Sequence, residues 1–168
     1  MKTVAVFSEA TLPGRFAADL EALFFNLIRV EIAPVDLTEA KALAYDARRG
    51  QIDAEALLDI LKIASGFDKT AYIVEGDAYV RGLNFVFGVA YGDKALVFTA
   101  RLRSEDEGLY RTRIIKELAH ELGHSFGLGH CPDRRCVMRF SNTLSDTDAK
   151  GPGFCGYCAA KLRRALRK

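Results

Sequence analysis

His120-Glu121-Leu122-Gly123-His124-Ser125-Phe126-Gly127-Leu128-Gly129-His130 is the stretch on which the reading of this chain turns, and Cys131 follows it directly. It holds all 3 histidines of the 168 residues. The 4 cysteines, Cys131, Cys136, Cys155 and Cys158, come straight after it, and no histidine or cysteine precedes His120. His120 and His124 are i and i+4, so on a helix their rings stand one turn apart on one face and can chelate a single ion. On a straight helix His130 would lie about 15 Å further along the axis than His120. The chain must therefore bend between His124 and His130, and Gly127 is the residue able to take the left-handed conformation such an exit requires. Three neutral imidazoles suit Zn²⁺ and leave a fourth position for water. Glu121 is poorly placed to be a further ligand but well placed to take a proton from that water and hand it to a leaving amine. The chemistry implied is hydrolysis of a peptide bond. The same ligands could instead hold a zinc that performs no turnover.

Working outward, residues 111–126 read as a helix with two faces. Ile114, Ile115, Leu118, Ala119, Leu122 and Phe126 form an apolar stripe, and Glu117, His120, Glu121 and His124 fall roughly opposite. One side should pack on a sheet while the other carries ionisable groups into a cleft. Upstream, residues 3–7 read as a buried strand and residues 16–28 as an amphipathic helix. Residues 30–35 read as a second strand with Pro34 at its margin. Residues 38–50 are ambiguous between a short helix capped by Thr38 and a long connection. Asp53 caps a helix expected to reach about Ala64, and residues 70–75 form another strand. Residues 85–91 and 95–99 form a hairpin about Gly92-Asp93. Residues 101–110 read as a polar loop and residues 156–167 as a terminal helix. This order of strands and helices predicts an α/β (α+β) fold with a mixed sheet.

Cys131-x4-Cys136 and Cys155-x2-Cys158 make two chelating pairs whose spacing suits a closed, tetrahedral structural zinc. A pair of disulfides is the alternative, disfavoured because no secretory signal precedes the chain. A redox Cys155-x2-Cys158 lacks the expected thioredoxin-like strand before it. The final forty or so residues hold few large apolar side chains, and a metal clamp can turn binding energy into folding energy there. Because Cys131 follows His130, the clamp should also steady the third histidine. Two zinc ions per chain are thus expected, one catalytic and one structural.

Composition narrows the rest. A hydrophobic share of 49% and a charged share of 27% describe a globular chain rather than a disordered one. The length suits one domain, residues 1–168, with subdomains 1–127 and 128–168. A net charge of +2 is too small to argue for nucleic acid. No apolar run approaches the roughly 18 residues of a membrane span. A cytoplasmic monomer acting on peptides is expected, its fold beginning near Thr3 with no room for a pro-segment. Basic clusters at Arg101, Arg103, Arg111, Arg113 and Lys116, and at the C-terminus, read as solvated surface. Asp146, Asp148 and Lys150 read as local ion pairs or a turn cap, with no chemistry assigned.

The stretch 120–130 followed by Cys136-Val137-Met138 resembles the metzincins, whose extended histidine motif is followed by a methionine turn. The addition of the two cysteine pairs resembles one metzincin family in particular, the archaemetzincins, over residues 120–158. The gap between Met138 and Cys155 differs by one residue from the usual pattern, which affects that loop rather than the ligands. The resemblance implies a twisted mixed sheet with a backing helix and an active-site helix. It implies that Met138 is the methionine-turn residue beneath the metal, and that the activity is that of a zinc metallopeptidase with aminopeptidase capacity. It also implies an antiparallel edge strand that pairs with extended substrate. This strand is assigned to residues 84–90, with Phe85, Val86, Phe87 and Gly88 touching substrate. Phe140 stands where many metzincins place a tyrosine. Two other functions compete: a non-catalytic zinc-dependent module that binds a peptide or partner, and a nucleic-acid-binding zinc protein, which would show a steep salt dependence.

Overall fold

Parallel strands need long returns, and this chain supplies them with helices. A computed structural model describes residues 1–168. Strand β1 (Lys2–Ser8) is followed by α1 (Phe16–Leu23) and β2 (Ile28–Pro34). Next come α2 (Thr38–Ala44), β3 (Tyr45–Asp46), β4 (Gln51–Asp53) and α3 (Ala54–Ile60). They lead to β5 (Lys69–Val74), β6 (Ala78–Tyr79), β7 (Gly88–Tyr91) and β8 (Lys94–Phe98). A short 3₁₀ turn at Ala100–Leu102 precedes α4 (Glu107–Ser125), α5 (Leu144–Ala149) and α6 (Gly156–Leu166). The main sheet has the order β2-β1-β5-β8-β7. Its pairs β1·β2, β1·β5 and β5·β8 are parallel, and the edge pair β7·β8 is antiparallel.

The central strands are apolar on both faces, so both faces are covered. Ala71, Ile73, Ala95 and Val97 join a core with α1, α4 and the C-terminal segment as far as Leu166. Their alternates Tyr72, Val74, Leu96 and Phe98 join a second core with α2 and α3. The period of two thus sorts the strand residues between the layers. β3, β4 and β6 form a small sheet of their own. No helix is long and apolar enough to cross a membrane.

Several boundaries differ from those the sequence predicts. α1 stops at Leu23, because Phe25 and Asn26 take φ of 61° and 55° and turn the chain into β2. Ile28 is buried as expected, but as a strand residue. α3 ends at Ile60, which leaves Ile63 exposed. Residues 38–50 resolve into a short helix followed by a strand turn, and Thr38 does not cap it: its hydroxyl donates to Asp36 at 2.6 Å instead. α4 starts four residues before Arg111, because the Asp106 carboxylate accepts the Leu109 amide as its N-cap. α5 has no counterpart among the elements the sequence predicts, although Thr143 and Asp146 form a complete capping box. The hairpin turn at Gly92-Asp93 is as expected, with Tyr91 opposite Lys94 and Gly92 at φ 58°. Its first strand is shorter than predicted. Only residues 88–91 lie in the ladder, while Val86 leaves it to bridge Ala78 of the small sheet.

Candidate active site

α4 presents its apolar stripe to the sheet, with Ile114, Leu118, Ala119 and Leu122 in the core. Its ionisable stripe faces the irregular segment after the helix and is itself largely buried, His120 being 4% and Glu121 5% exposed. At the end of α4, Gly127 takes φ 92°. The Gly127 amide donates to His124 O at 2.9 Å and the Leu128 amide to Gly123 O at 2.9 Å. This is the paired pattern of a Schellman exit. It reverses the chain and returns His130 to the other two histidines: one ring nitrogen from each lies within 4.8 Å of the others.

The tautomers follow from the partners. His120 Nδ1 lies 2.8 Å from Val137 O, and His124 Nδ1 lies 2.8 Å from Leu128 O. A carbonyl only accepts, so both Nδ1 atoms carry the proton and both Nε2 atoms present lone pairs. Those two Nε2 atoms are 3.0 Å apart. Two lone pairs so close repel unless a cation lies between them. Bonds of 2.0–2.1 Å in a tetrahedron give edges of roughly 3.3 Å, so the spacing fits zinc. Burial, with Lys150 and His124 nearby, holds His120 well below the usual histidine range. Burial also lowers His124 and His130. All three are thereby kept as neutral imidazoles, the form that binds metal.

Met138 is fully buried against α4 at Gly123. A Cβ on Gly123 would lie 2.5 Å from Met138 Sδ, so the glycine inside the histidine motif is there to admit the methionine. The same turn does two further jobs. The Val137 carbonyl orients His120, and the Met138 carbonyl accepts the Cys131 amide at 3.0 Å.

Cys131, Cys136, Cys155 and Cys158 are free thiols whose sulfurs all lie within 4.8 Å of one another. Cys131 Sγ and Cys155 Sγ are 3.8 Å apart. A disulfide needs about 2.05 Å, whereas zinc with bonds of 2.3 Å to four thiolates gives edges of roughly 3.8 Å. Burial pushes the Cys136 and Cys158 thiols up. The Cys158 amide at the start of α6 holds Cys155 below its ordinary range. Four thiolates in this volume need a cation to offset their charge.

Glu121 reaches the cleft under β7. A Cβ on Gly88 would lie 2.7 Å from both Glu121 Cγ and Oε1, so only glycine lets strand and carboxylate meet. Burial, reinforced by Glu117 nearby and opposed by Lys150, raises Glu121 well above the usual carboxylate range. A cavity of about 190 Å³ opens there. Phe85, Val86, Phe87 and Gly88 form one wall, Glu117, His120 and Glu121 the floor, and Phe140, Ser141 and Asn142 the far wall. The four edge-strand residues expected at the cleft therefore line it, although only Gly88 belongs to the ladder. Phe140 lies against His130, with ring centroids 5.1 Å apart.

The sequence missed the residues that fasten the far wall. Arg113 and Lys116 were expected in solvent but are buried. Arg113 grips the Asp148 carboxylate through two hydrogen bonds of 2.7 Å, and Lys116 donates to the Thr147 and Asp148 carbonyls. Their partners lie on α5, the helix without a predicted counterpart. The Thr143-x-x-Asp146 capping pattern was the one signal that could have located it.

Residues 26–164 match the model of a family described as Peptidase family M54. The chain belongs to peptidase family M54. An archaemetzincin of Methanopyrus kandleri is 51% identical over 128 residues, which cover 74% of this chain and 73% of that protein. The crystal structure of the Methanopyrus kandleri archaemetzincin superposes with a TM-score of 0.87 at 40% identity, over 99% of this chain and 96% of the other. The archaemetzincin of Archaeoglobus fulgidus, solved in complex with malonate, gives a TM-score of 0.78 at 33% identity, over 95% of this chain and 99% of the other. The resemblance first seen in residues 120–158 thus extends along the M54 fold, and with it zinc metallopeptidase activity.

Proposed function

We propose that His120, His124 and His130 hold a catalytic zinc, with Glu121 as general base, and that the four cysteines hold a second, structural zinc. The observation that carries this reading is the convergence of three imidazole nitrogens beside a carboxylate that opens onto a cavity. Zinc in the histidine cluster would polarise a scissile carbonyl and activate water toward it. The chain's residues do the rest. Val137 and Leu128 hold the proton on Nδ1 of His120 and His124, so that each Nε2 faces the metal. Glu121 accepts a proton from the attacking water and passes it to the leaving nitrogen as the C–N bond breaks. Met138 supplies the apolar floor, and the edge formed by Phe85, Val86, Phe87 and Gly88 takes extended peptide.

The finer reading is an aminopeptidase working as a cytoplasmic monomer, with residues 1–127 and 128–168 as subdomains of one domain. The core shared by Val4 and Leu166 supports the single domain. The test is elemental analysis and peptide hydrolysis on wild type and Glu121→Gln. Two zincs per chain are expected in both, with turnover in the variant lower by roughly a hundredfold or more. Wild-type activity from the variant would remove Glu121 from the chemistry. Comparing free with acetylated N-termini separates aminopeptidase from endopeptidase action.

A further inference from the structure

α4 carries a second carboxylate in the same cavity. Glu117 stands one turn before Glu121, is 3% exposed and lines the floor. Its two oxygens are used differently. Oε1 accepts the Thr147 hydroxyl at 2.9 Å and lies 3.2 Å from Lys150 Nζ. Oε2 accepts no hydrogen bond from the protein and is not among the atoms sealed from solvent without a partner, and it belongs to a residue that lines the cavity. Lys150 is the anchor. Its side chain is 0% exposed, and it donates a further bond to the Arg139 carbonyl at 3.2 Å. It therefore ties Glu117 to the segment that begins the far wall.

An ion pair shut away like this gives little net stability, because desolvation offsets most of the attraction. What it does is fix one oxygen of Glu117 and leave the other without a protein partner. An unused carboxylate oxygen among walls of Phe85, Phe87 and Phe140 leaves a polar group that a ligand can satisfy. The carboxylate only accepts, so its complement is an N–H donor. Lys150 already balances the charge of Glu117, so a neutral amide tip fits as well as a cationic one. A carboxylate tip would meet both Glu117 and Glu121. An apolar tip would leave Oε2 unpaired, which is where discrimination by a polar site comes from. A cavity of about 190 Å³ has room for a side chain.

The cavity also lies on a definite side. It includes His120 and Glu121 but neither His124 nor His130. As the group that hands a proton to the leaving nitrogen, Glu121 faces the residue contributing that nitrogen.

We propose that Glu117, seated by Lys150 and Thr147, is a specificity-determining residue that selects an N–H-donating side chain on the residue supplying the leaving amine. This rests on the peptidase reading above and names its substrate class. The test is one peptide sequence carrying glutamine, lysine, norleucine or glutamate at that position. Wild type should turn over the glutamine or lysine peptide with kcat/KM at least about tenfold above norleucine, with glutamate lowest. The glutamine and lysine arms tell whether the donor is neutral or cationic. Norleucine equal to or better than both would overturn the proposal, and this arm needs no variant. Glu117→Leu should bring the ratio close to one, whereas Glu117→Gln, which keeps a carbonyl acceptor, should retain part of it. A ratio unchanged in Glu117→Leu also overturns the assignment. Binding of the same peptides to Glu121→Gln, followed by fluorescence anisotropy, reads selection without turnover. Preferred binding with no hydrolysis by wild type would overturn the peptidase reading alone. Hydrolysis without preference would overturn this one alone.

Discussion

The histidine and cysteine clusters sit side by side in the chain and are built in opposite ways. Two of the histidines stand on a 19-residue helix packed against the sheet, and each is braced by a backbone carbonyl. Exposure rises from buried His120 through half-buried His124 to exposed His130, so the cluster is closed behind and open in front. The cysteines come from an irregular segment and from the start of α6. Three of the four are buried, and the polar groups nearest to them include one another's sulfurs. One cluster is prepared by the fold, and the other helps to make the fold.

That contrast predicts unequal responses to losing a ligand. Cys136→Ser should cost the most, about 3 kcal/mol or more, because metal binding is folding energy for such a segment. For a chain of this size that is about 10 °C in melting temperature. His130→Ala should stay within about 1 kcal/mol of wild type, as an exposed residue on a formed scaffold, while peptide hydrolysis falls at least about a hundredfold. Matched thermal melts of the two variants decide it; equal losses would erase the distinction.

Between the clusters lies the Met138–Gly123 contact, and it gives an intermediate effect. Gly123→Ala forces a methyl against the sulfur, and overpacking of this kind costs about 1–3 kcal/mol. Better helix propensity returns up to about 1 kcal/mol of that. Denaturant midpoints should therefore fall modestly, and zinc retention at the histidines should fall with them because Val137 moves with Met138. A stable variant with full zinc would show that Met138 has space to yield.

The smallest effect belongs to the clamp on the far wall. Arg113 holds the Asp148 carboxyl below its usual range. A depressed carboxylate contributes stability above its unfolded value of about 3.9, and that contribution disappears as pH falls through the folded value. Asp148→Asn should therefore cost up to about 1 kcal/mol at pH 7, modest because the Asp148 side chain is 36% exposed. The gap should narrow toward pH 3 in parallel acid titrations, and a gap that widens would reverse the assignment.

What was readable in the sequence was local. The i, i+4 histidines, the glycine exit and the cysteine spacing each fix geometry within a few residues, and the structure brings the groups they name together. What was not readable depended on distant partners. Phe24 and Ile28 fit one helical stripe, yet the turn at Phe25-Asn26 puts Ile28 in a strand of the same core. Arg113, Lys116 and Lys150 have the composition of solvated surface, and only the docking of α5 on α4 buries them. Residues 85–87 alternate as a strand should, but Val86 pairs with the small sheet, which no periodicity announces.

His130 and Cys131 share a single peptide bond, and the Cys131 amide is held by the Met138 carbonyl. If both clusters are filled as proposed, neither can shift without carrying the other. Occupancy of the two is then thermodynamically linked, and linkage is reciprocal: whatever factor the cysteine metal adds to affinity at the histidines, the histidine metal adds at the cysteines. The His130→Ala melt bounds that factor, because a loss within about 1 kcal/mol limits it to roughly fivefold.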